Sequence, residues 1–366
     1  MPSADELKYW IGFTRIPGIG RVRLCMLRER LGSLSNVWAA SKSDLLHCGL
    51  EEKLASVLIQ TREKMSLDGE MEEMARYGIS AISFESEQYP QMLKEISDYP
   101  AVLFVRGEIQ PRDENSLAVV GTRRATAYGR QVTEELVSSL ALNSITIISG
   151  LAKGIDTAAH KATLEAGGRT LAVFACGLDI VYPPENVKLA REIMEKGALI
   201  SEYPLGTRPK AEHFPQRNRI LSGLSRGVLV VECGESSGAL ITAEFALQQN
   251  REVFAVPGSV MSPMSKGPNY LIQQGAKLVR NHKDILEELN LTEIAQQIQM
   301  QAINASNEIE SIIIKCIGDG QGHIDQICRA TGLNAAIIQS SLAMMEINGQ
   351  IKHTGNLNYV LNKSMI

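Results

Sequence analysis

The sequence contains no closely spaced pair of cysteines. Its six cysteines stand singly, at Cys25, Cys48, Cys176, Cys233, Cys316 and Cys328. Structural zinc sites usually take their thiolates from CxxC pairs, so we predict no metal site. Scattered single thiols in apolar segments are typical of a reducing compartment, and we therefore expect a cytoplasmic protein.

Long apolar runs and an excess of positive charge are also missing. No apolar stretch approaches the ~18 residues of a membrane span, and we expect none. The opening residues, MPSADELKYW, lack the basic and apolar regions of a signal peptide. With 37 Lys and Arg against 41 Asp and Glu, the net charge is -4. A nucleic-acid site would therefore have to be a local patch of positive charge.

The two common nucleotide-binding signatures are absent as well. Gly121, Thr122, Arg123 and Arg124 directly follow an apolar run, where a nucleotide-binding turn would be expected. The segment matches neither GxGxxG nor GxxxxGK[ST], which argues against a dinucleotide cofactor and against a nucleotide-hydrolysing P-loop. We predict that the protein uses no cofactor.

The 366 residues are enough for two or three domains. We predict a small helical domain at 1–68, a larger core at 69–290, a Gln- and Asn-rich linker at 291–307 and a last domain at 308–366. In the core, apolar strand-like runs alternate with helical segments, which indicates a doubly wound parallel α/β sheet. We expect strands near 79–84, 101–107, 117–120, 145–148, 170–175, 198–201, 227–232 and 252–256.

The N-terminal domain contains a Pro-Gly-x-Gly turn before an amphipathic helix, at Ile16–Gly32. This segment resembles a helix-hairpin-helix (SAM-like) module, whose turn could hold a phosphate. A poorer copy, His47–Leu58, brings Glu51 and Glu52, which would repel phosphate. The alternative, which we favour, is a helical packing module without a ligand.

The last domain reads as a winged helix: three helices, then two short strands joined by a Gly-Asn turn at Gly355 and Asn356. Its third helix carries Gln339 and Ser340 but no cation, and Glu346 lies near its end. A reader of duplex DNA normally carries basic or amide side chains there. We therefore favour a structural or protein-contact role.

In the core, strand-like runs end repeatedly in glycine-bearing turns that lead into helices. Such turns expose backbone N–H groups, and a parallel sheet brings them to one edge. Besides the Gly121 turn, we assign Ser149, Gly150 and Lys153 to a second turn and Gly177 to a third. The adjacent arginines of the first turn could neutralise phosphates, or they could be an ordinary surface pair.

Asp156 and His160 stand four residues apart after the second turn, so they share one helix face. A hydrolase would use them as an acid and a base. No nucleophile or set of metal ligands accompanies them. We therefore favour a capping role for Asp156 and packing beneath the turn for His160. Asp179, in the third turn, is expected to brace its loop.

The segment HFPQRNR places Phe214 close to Arg217, Asn218 and Arg219. A base stacked on Phe214, with cations holding the strand backbone, would suit single-stranded nucleic acid. The alternative is that Phe214 belongs to the core and that the arginines pair with acids such as Glu202. A fourth turn, at Ser236 and Ser237, would either hold an anion or cap the next helix.

Together these segments resemble the DNA-processing protein A family (DprA, also called Smf). The resemblance runs in order through VVGTRRATAYG, SGLAKGIDTAAHKATLEAGGRTLAVFACGLDIVYP, SEYPLG, HFPQRNRILSGLS, SGALITAEFALQQNREVFAVPG and GPNYLIQQGA. It implies an extended Rossmann-like core that binds single-stranded DNA without catalysis. It also implies a homodimer that loads RecA during natural transformation.

The resemblance further assigns Lys210 as a basic contact ahead of Phe214. With the turns above, the DNA-binding residues are Gly121, Thr122, Arg123, Arg124, Ser149, Gly150, Lys153, Gly177, Lys210, Phe214, Arg217, Asn218, Arg219, Ser236 and Ser237. The implied dimer interface comprises Leu271, Ile272 and Leu278. The sequence departs from the family pattern at Pro184, where relatives can carry Lys, and at Glu235. Both departures suggest weaker binding of the strand backbone.

Two other functions remain open. A phosphoribohydrolase of the Lonely Guy type has a similar core, with a catalytic Glu beside a PGGxGT turn. Here Glu244 is present in GESSGALITAE, but the double glycine is missing. A transcriptional regulator acting through the winged helix is the other candidate, and the weakly charged third helix argues against it.

Overall fold

The computed structural model describes residues 4–291, 309–347 and 350–361. It contains two compact units, Met1–Leu291 and Thr292–Ile366. Apart from Leu291, the predicted linker lies outside the described residues. The predicted boundary near residue 68 falls inside the first unit.

The N-terminal part of the first unit is helical, as the sequence predicts. Its helices are α1 (Ala4–Thr14), α2 (Arg21–Leu31), α3 (Leu34–Ala39), α4 (Lys42–His47), α5 (Glu52–Lys64) and α6 (Leu67–Arg76). Trp10 and Phe13 of α1 are fully buried. They belong to the same hydrophobic cluster as Phe104 and Phe174 of the following α/β core. The helical module and the core are therefore packed together as one unit.

In the described part of that unit, nine strands form one sheet. They are β1 (Ser80–Ser83), β2 (Val102–Gly107), β3 (Ser116–Val120), β4 (Thr146–Ser149), β5 (Thr170–Val173), β6 (Ala198–Ser201), β7 (Gly227–Val230), β8 (Glu252–Ala255) and β9 (Lys277–Leu278). The order is β1-β2-β6-β5-β4-β3-β7-β8-β9. The seven strands β3 to β9 run parallel to one another. Strands β1 and β2 extend the sheet beyond β6, where β2 is antiparallel to β6 and β1 is antiparallel to β2. The predicted doubly wound sheet is confirmed, with the short edge strand β9 as an addition.

Helices cover both faces of the sheet. They are α7 (Gln91–Lys94), α8 (Ala127–Leu142), α9 (Ile155–Glu165), α10 (Val187–Lys196), α11 (His213–Gly223), α12 (Gly238–Gln248), α13 (Lys266–Gln273) and α14 (His282–Glu288). Successive side chains of a strand point to opposite faces of the sheet, and in β3 they pack against helices on both faces. Ala118 and Val120 share a cluster with residues of α11 and α12, whereas Leu117 and Val119 share one with residues of α8 and α9.

The sheet has a topological switch point beside β3. From β3 the chain runs through β4, β5 and β6 on one side, and β7, β8 and β9 then fill the other side. Connections that leave neighbouring strands in opposite directions open a crevice at the carboxyl ends of those strands, where ligands bind in such sheets. The turns after β3 and β7 therefore define the expected site.

The second unit has the predicted winged-helix elements. The helix α15 (309–318) precedes α16 (Ile324–Thr331), α17 (Ala335–Ile347), β10 (Ile351–Gly355) and β11 (Asn358–Leu361). The two strands pair as an antiparallel hairpin around the predicted Gly-Asn turn. Across the described ranges, none of the helices is long and apolar enough to cross a membrane.

Candidate nucleic-acid interface

A cleft of about 690 Å³ opens at the switch point. It lies between the turn after β3, the start of α9, the segment leading into α11 and the start of α12. The predicted DNA-binding residues that line it are Gly121, Thr122, Arg123, Arg124, Lys210, Phe214, Arg217, Asn218 and Ser237. The structure thus brings together residues that lie more than a hundred positions apart in the chain.

Two aromatic rings and a guanidinium group lie together in this cleft. The guanidinium carbon of Arg123 is 5.2 Å from the centre of the Phe214 ring. The ring centres of Phe214 and Tyr182 are 5.7 Å apart, with an interplanar angle of 59°. Tyr182 is 44% exposed, and Arg123 is also exposed. Sequence reasoning noted the YPP segment for Pro184 only and missed Tyr182 as a second aromatic surface.

The second turn is held by Asp156 rather than left open for an anion. The Asp156 carboxylate accepts hydrogen bonds from the backbone N–H groups of Gly150, at 3.1 Å, and Ala152, at 3.3 Å. Burial raises the pKa of Asp156, and the nearby Arg217 opposes that shift. The predicted capping role of Asp156 is wrong: α9 begins after Gly154 without a side-chain cap, and Asp156, inside the helix, braces the preceding turn instead.

His160 lies fully buried beneath this turn. Its Nδ1 is 2.7 Å from the hydroxyl of Thr170. Burial, reinforced by the positive charge of Arg217, lowers the pKa of His160 to about 3, so the ring is neutral near pH 7. The predicted packing role is confirmed, and His160 does not line the cleft, so it cannot act there as the base of an acid–base pair with Asp156.

Protein carboxylates also occupy the first and third turns. Glu232 accepts hydrogen bonds from the backbone N–H of Thr126, at 3.0 Å, and from its hydroxyl, at 2.6 Å, just before α8. Asp179 accepts one from the backbone N–H of Gly206 at 2.9 Å, which confirms its bracing role. Phosphate binding in this cleft would therefore depend more on the side-chain cations than on the backbone N–H groups of the turns.

Arg217 requires a correction, because its side chain faces the protein interior. The residue is 4% exposed, and its Nη1 donates to the carbonyl oxygens of Gly150, at 2.9 Å, and Val173. A Cβ atom at Gly150 would lie 2.3 Å from the guanidinium group, so a larger residue there would displace the Arg217 side chain. Arg217 also lines the cleft, but its guanidinium ties the second turn to the end of β5.

Arg219 requires the same correction. Its guanidinium contacts the carboxylates of Glu202, at 2.6 Å, and Asp98, at 3.0 Å. This is the alternative that the sequence analysis left open. Asn218 is also internal, at 8% exposed, and its amide donates to the carbonyl of Gly238 at the start of α12. It supports the wall of the cleft.

Several predicted contacts lie outside the cleft lining. Ser149 is fully buried and donates its hydroxyl hydrogen bond to the carbonyl of Val119, and Gly177 is buried as well. These two, like Gly150, shape the turns and do not reach a ligand with side chains. Lys153 and Ser236 are exposed, and Lys153 forms an ion pair with Glu185. Their DNA-binding roles remain predictions.

Comparisons with known proteins identify the family. The profile of a family described as DNA recombination-mediator protein A matches residues 80–290, and that of a DprA winged helix domain matches residues 299–355. The chain belongs to the DNA recombination-mediator protein A family. The DNA processing protein DprA of Bacillus subtilis is 50% identical over 213 residues, which is 58% of this chain and 72% of the relative. Protein Smf of Synechocystis is 36% identical over 304 residues, or 82% and 76%.

Two solved structures of the family resemble this one. DNA processing protein A from Streptococcus pneumoniae is 35% identical with a TM-score of 0.65, covering 77% of this chain and 97% of that one. The Helicobacter pylori protein is 30% identical with a TM-score of 0.53, covering 58% and 95%. That second structure concerns a single-stranded DNA binding mode.

In this recombination-mediator protein, the predicted interface residues lie around the sheet edge formed by β9. Leu278, on β9, is 38% exposed, and Tyr270, on α13, is 54% exposed. Ile272 is partly buried against the core. Leu271 is 8% exposed and belongs to that core, so its assignment to an interface is corrected.

Proposed function

We propose that this protein binds single-stranded DNA in the cleft at the switch point and acts as a non-catalytic recombination mediator. The observation that carries the proposal is the group formed by Arg123, Phe214 and Tyr182. Each aromatic ring offers a stacking surface for a base, and stacking contributes roughly 1–3 kcal/mol per base. The exposed Arg123 and Arg124 supply charge for phosphates. The Helicobacter pylori relative is described as binding single-stranded DNA, which supports this proposal.

The alternative, a phosphoribohydrolase, has weaker support in the cleft. Its candidate catalytic residue, Glu244, is exposed on α12 and does not line the cleft. The acidic residue that does line it, Asp156, is committed to the second turn. Incubating the protein with nucleotides and assaying for released base or ribose separates the two functions, since a DNA-binding protein should release neither.

The partner and the cellular role are proposed from the family resemblance. A strand held by stacking and phosphate contacts stays accessible to a second protein, as loading of RecA during natural transformation would require. The described cysteines are all unpaired, in keeping with a cytoplasmic location. RecA filament assembly on protein-coated single strands tests this proposal directly.

Arg123→Ala is expected to weaken binding to oligo-dT and to make its salt dependence shallower. Each phosphate contact to a single strand contributes about 0.7 to the log–log salt slope, so the slope should fall by about that amount. Fluorescence anisotropy across a salt series measures it. Arg76→Ala removes an exposed arginine from α6 and is the matched control. Unchanged affinity of Arg123→Ala at low salt would remove Arg123 from the site.

We also propose a homodimer formed through the β9 edge. A two-fold contact uses the same patch twice, so one charged substitution damages both sides. Leu278→Glu is therefore expected to give a folded monomer, because Leu278 is exposed on the edge strand. Ile272→Glu should instead lower the melting temperature, since Ile272 packs against the core. Light scattering with a thermal melt distinguishes the outcomes, and a folded Leu278→Glu variant that stays dimeric would place the interface elsewhere.

A further inference from the structure

A second groove, of about 370 Å³, lies between α8 and α9. Its cationic lining residues are Arg123, Arg124, Arg130 and Lys161. Arg123 and Arg124 line the central cleft too. The two concavities therefore meet at these arginines, and a strand leaving the cleft on this side would enter the groove without crossing another surface.

The cations of this groove are available for a ligand. All four are exposed, and within the described ranges none forms an ion pair with a carboxylate. Arg130 makes one hydrogen bond, to the carbonyl oxygen of Ala125 at 2.6 Å. Two carboxylates, Glu134 and Glu165, also line the groove and are exposed.

The cleft that adjoins the site on its other side is different. It has a volume of about 900 Å³, lies beside the helical module and shares Lys210 with the central cleft. Most of its cations are already paired: Arg15 with Glu70, Arg23 with Glu51, Lys210 with Glu212, and Arg219 with Asp98 and Glu202. A phosphate entering there would compete with protein carboxylates, so charge favours the groove between α8 and α9.

Small residues form part of the lining of this groove. Gly154 immediately precedes α9, Ala158 and Ala162 lie on it, and no aromatic side chain is among the described lining residues. Small side chains leave room for a sugar–phosphate backbone, whereas base stacking needs aromatic surfaces. The groove is therefore suited to binding phosphates and is not expected to discriminate between bases.

We propose that the bound single strand continues from the central cleft over Arg123 and Arg124 into the groove between α8 and α9, where Arg130 and Lys161 hold its phosphates. The inference rests on the proposed single-stranded DNA binding. It specifies the side on which the DNA strand leaves the central cleft. It also adds Arg130 and Lys161, which were not predicted from the sequence, as phosphate-binding residues.

The test compares the salt dependence of binding for a short and a long oligo-dT. Single-strand sites range from roughly 4 to 16 nucleotides, so a 4-mer should fill only the central cleft and a 16-mer should also reach the groove. Lys161→Ala is the main variant, because no described hydrogen bond or ion pair of Lys161 is lost. Arg130→Gln is the second, and a thermal melt checks that losing the Ala125 contact leaves it folded.

On the 16-mer, each of these two variants is expected to lower the salt slope by about 0.7, and on the 4-mer neither should change it. Glu165→Gln removes a negative charge from the groove and should strengthen binding of the 16-mer. Lys64→Ala removes an exposed cation from α5, far along the chain, and should change neither slope. If Lys64→Ala lowered the salt slope on the 16-mer as much as Lys161→Ala does, the effect would come from net charge and the proposal would be overturned.

The outcomes distinguish failure of the groove proposal from failure of the proposed binding in the central cleft. If Arg123→Ala weakens binding of both oligonucleotides while Lys161→Ala and Arg130→Gln weaken neither, the strand leaves the cleft by another path and the groove proposal fails alone. If the unmodified protein binds neither oligonucleotide, the proposed function fails with it. Slopes lowered on the 16-mer alone support the groove.

Discussion

Replacing Arg217 with alanine is expected to lower the free energy of unfolding by about 3–5 kcal/mol, as when one partner of a buried charge pair is removed. The substitution leaves the carbonyl oxygens of Gly150 and Val173 without their donor. It also removes the positive charge that opposes the raised pKa of the buried Asp156. Unsatisfied buried acceptors add to this cost.

A thermal melt measures the effect, and a fall in Tm on the order of 10 °C is expected for a unit of this size. Arg124→Ala is the matched control, since Arg124 is exposed and has no carboxylate partner among the described residues. Its stability should change by less than about 0.5 kcal/mol while its DNA binding weakens. The opposite pattern for Arg217→Ala, with an unchanged melt and lost binding, would restore Arg217 as a DNA contact.

Phe214→Ala is expected to weaken binding of oligo-dT by roughly 1–3 kcal/mol, or roughly 5- to 150-fold in Kd. Phe214 is half-buried and belongs to none of the hydrophobic clusters of the described residues. Its ring faces Arg123 and Tyr182 across the cleft. Truncation therefore removes a stacking surface and leaves the core intact. Anisotropy titration and a thermal melt on the same variant check both parts.

The conservative variants Phe214→Tyr and Phe214→Trp should keep most of the affinity, because they retain an aromatic face. Tyr77→Ala removes an exposed aromatic at the end of α6 and should leave binding unchanged. If Phe214→Ala instead lost about 3–5 kcal/mol of stability, the ring would be a core residue and the stacking assignment would fall.

These two residues also explain why the cleft is preformed. Arg217 and Phe214 both lie on α11, one directed inward and the other toward the cleft. The inward contact fixes α11 against the second turn and β5, so the ring is held opposite Arg123 before any strand binds. A preorganised site avoids part of the entropy that binding would otherwise cost.

The sequence by itself determined the architecture of the core. Apolar runs of strand length separated by helices predicted the eight strands from β1 to β8. For the strands from β3 to β8, burial on both faces of a parallel sheet leaves that pattern in the chain. The antiparallel arrangement of β1 and β2 appeared only in the structure. The sequence also predicted that glycine-bearing turns would meet at one sheet edge, since parallel strands end on the same side. Arg123 and Arg124 were found in this way, from a turn without the usual nucleotide-binding signatures, whereas Phe214 was found from the basic segment HFPQRNR.

Only the tertiary structure decided which of the predicted contacts face a ligand. Arg217 and Arg219 stand two residues apart in one basic segment, yet one binds the carbonyl of Gly150, 67 positions away, and the other pairs with Glu202. The first turn likewise depends on Glu232, 106 positions from Thr126. Sequence patterns report local burial and spacing, whereas the fate of a charged side chain depends on neighbours that only the folded sheet brings within hydrogen-bonding distance.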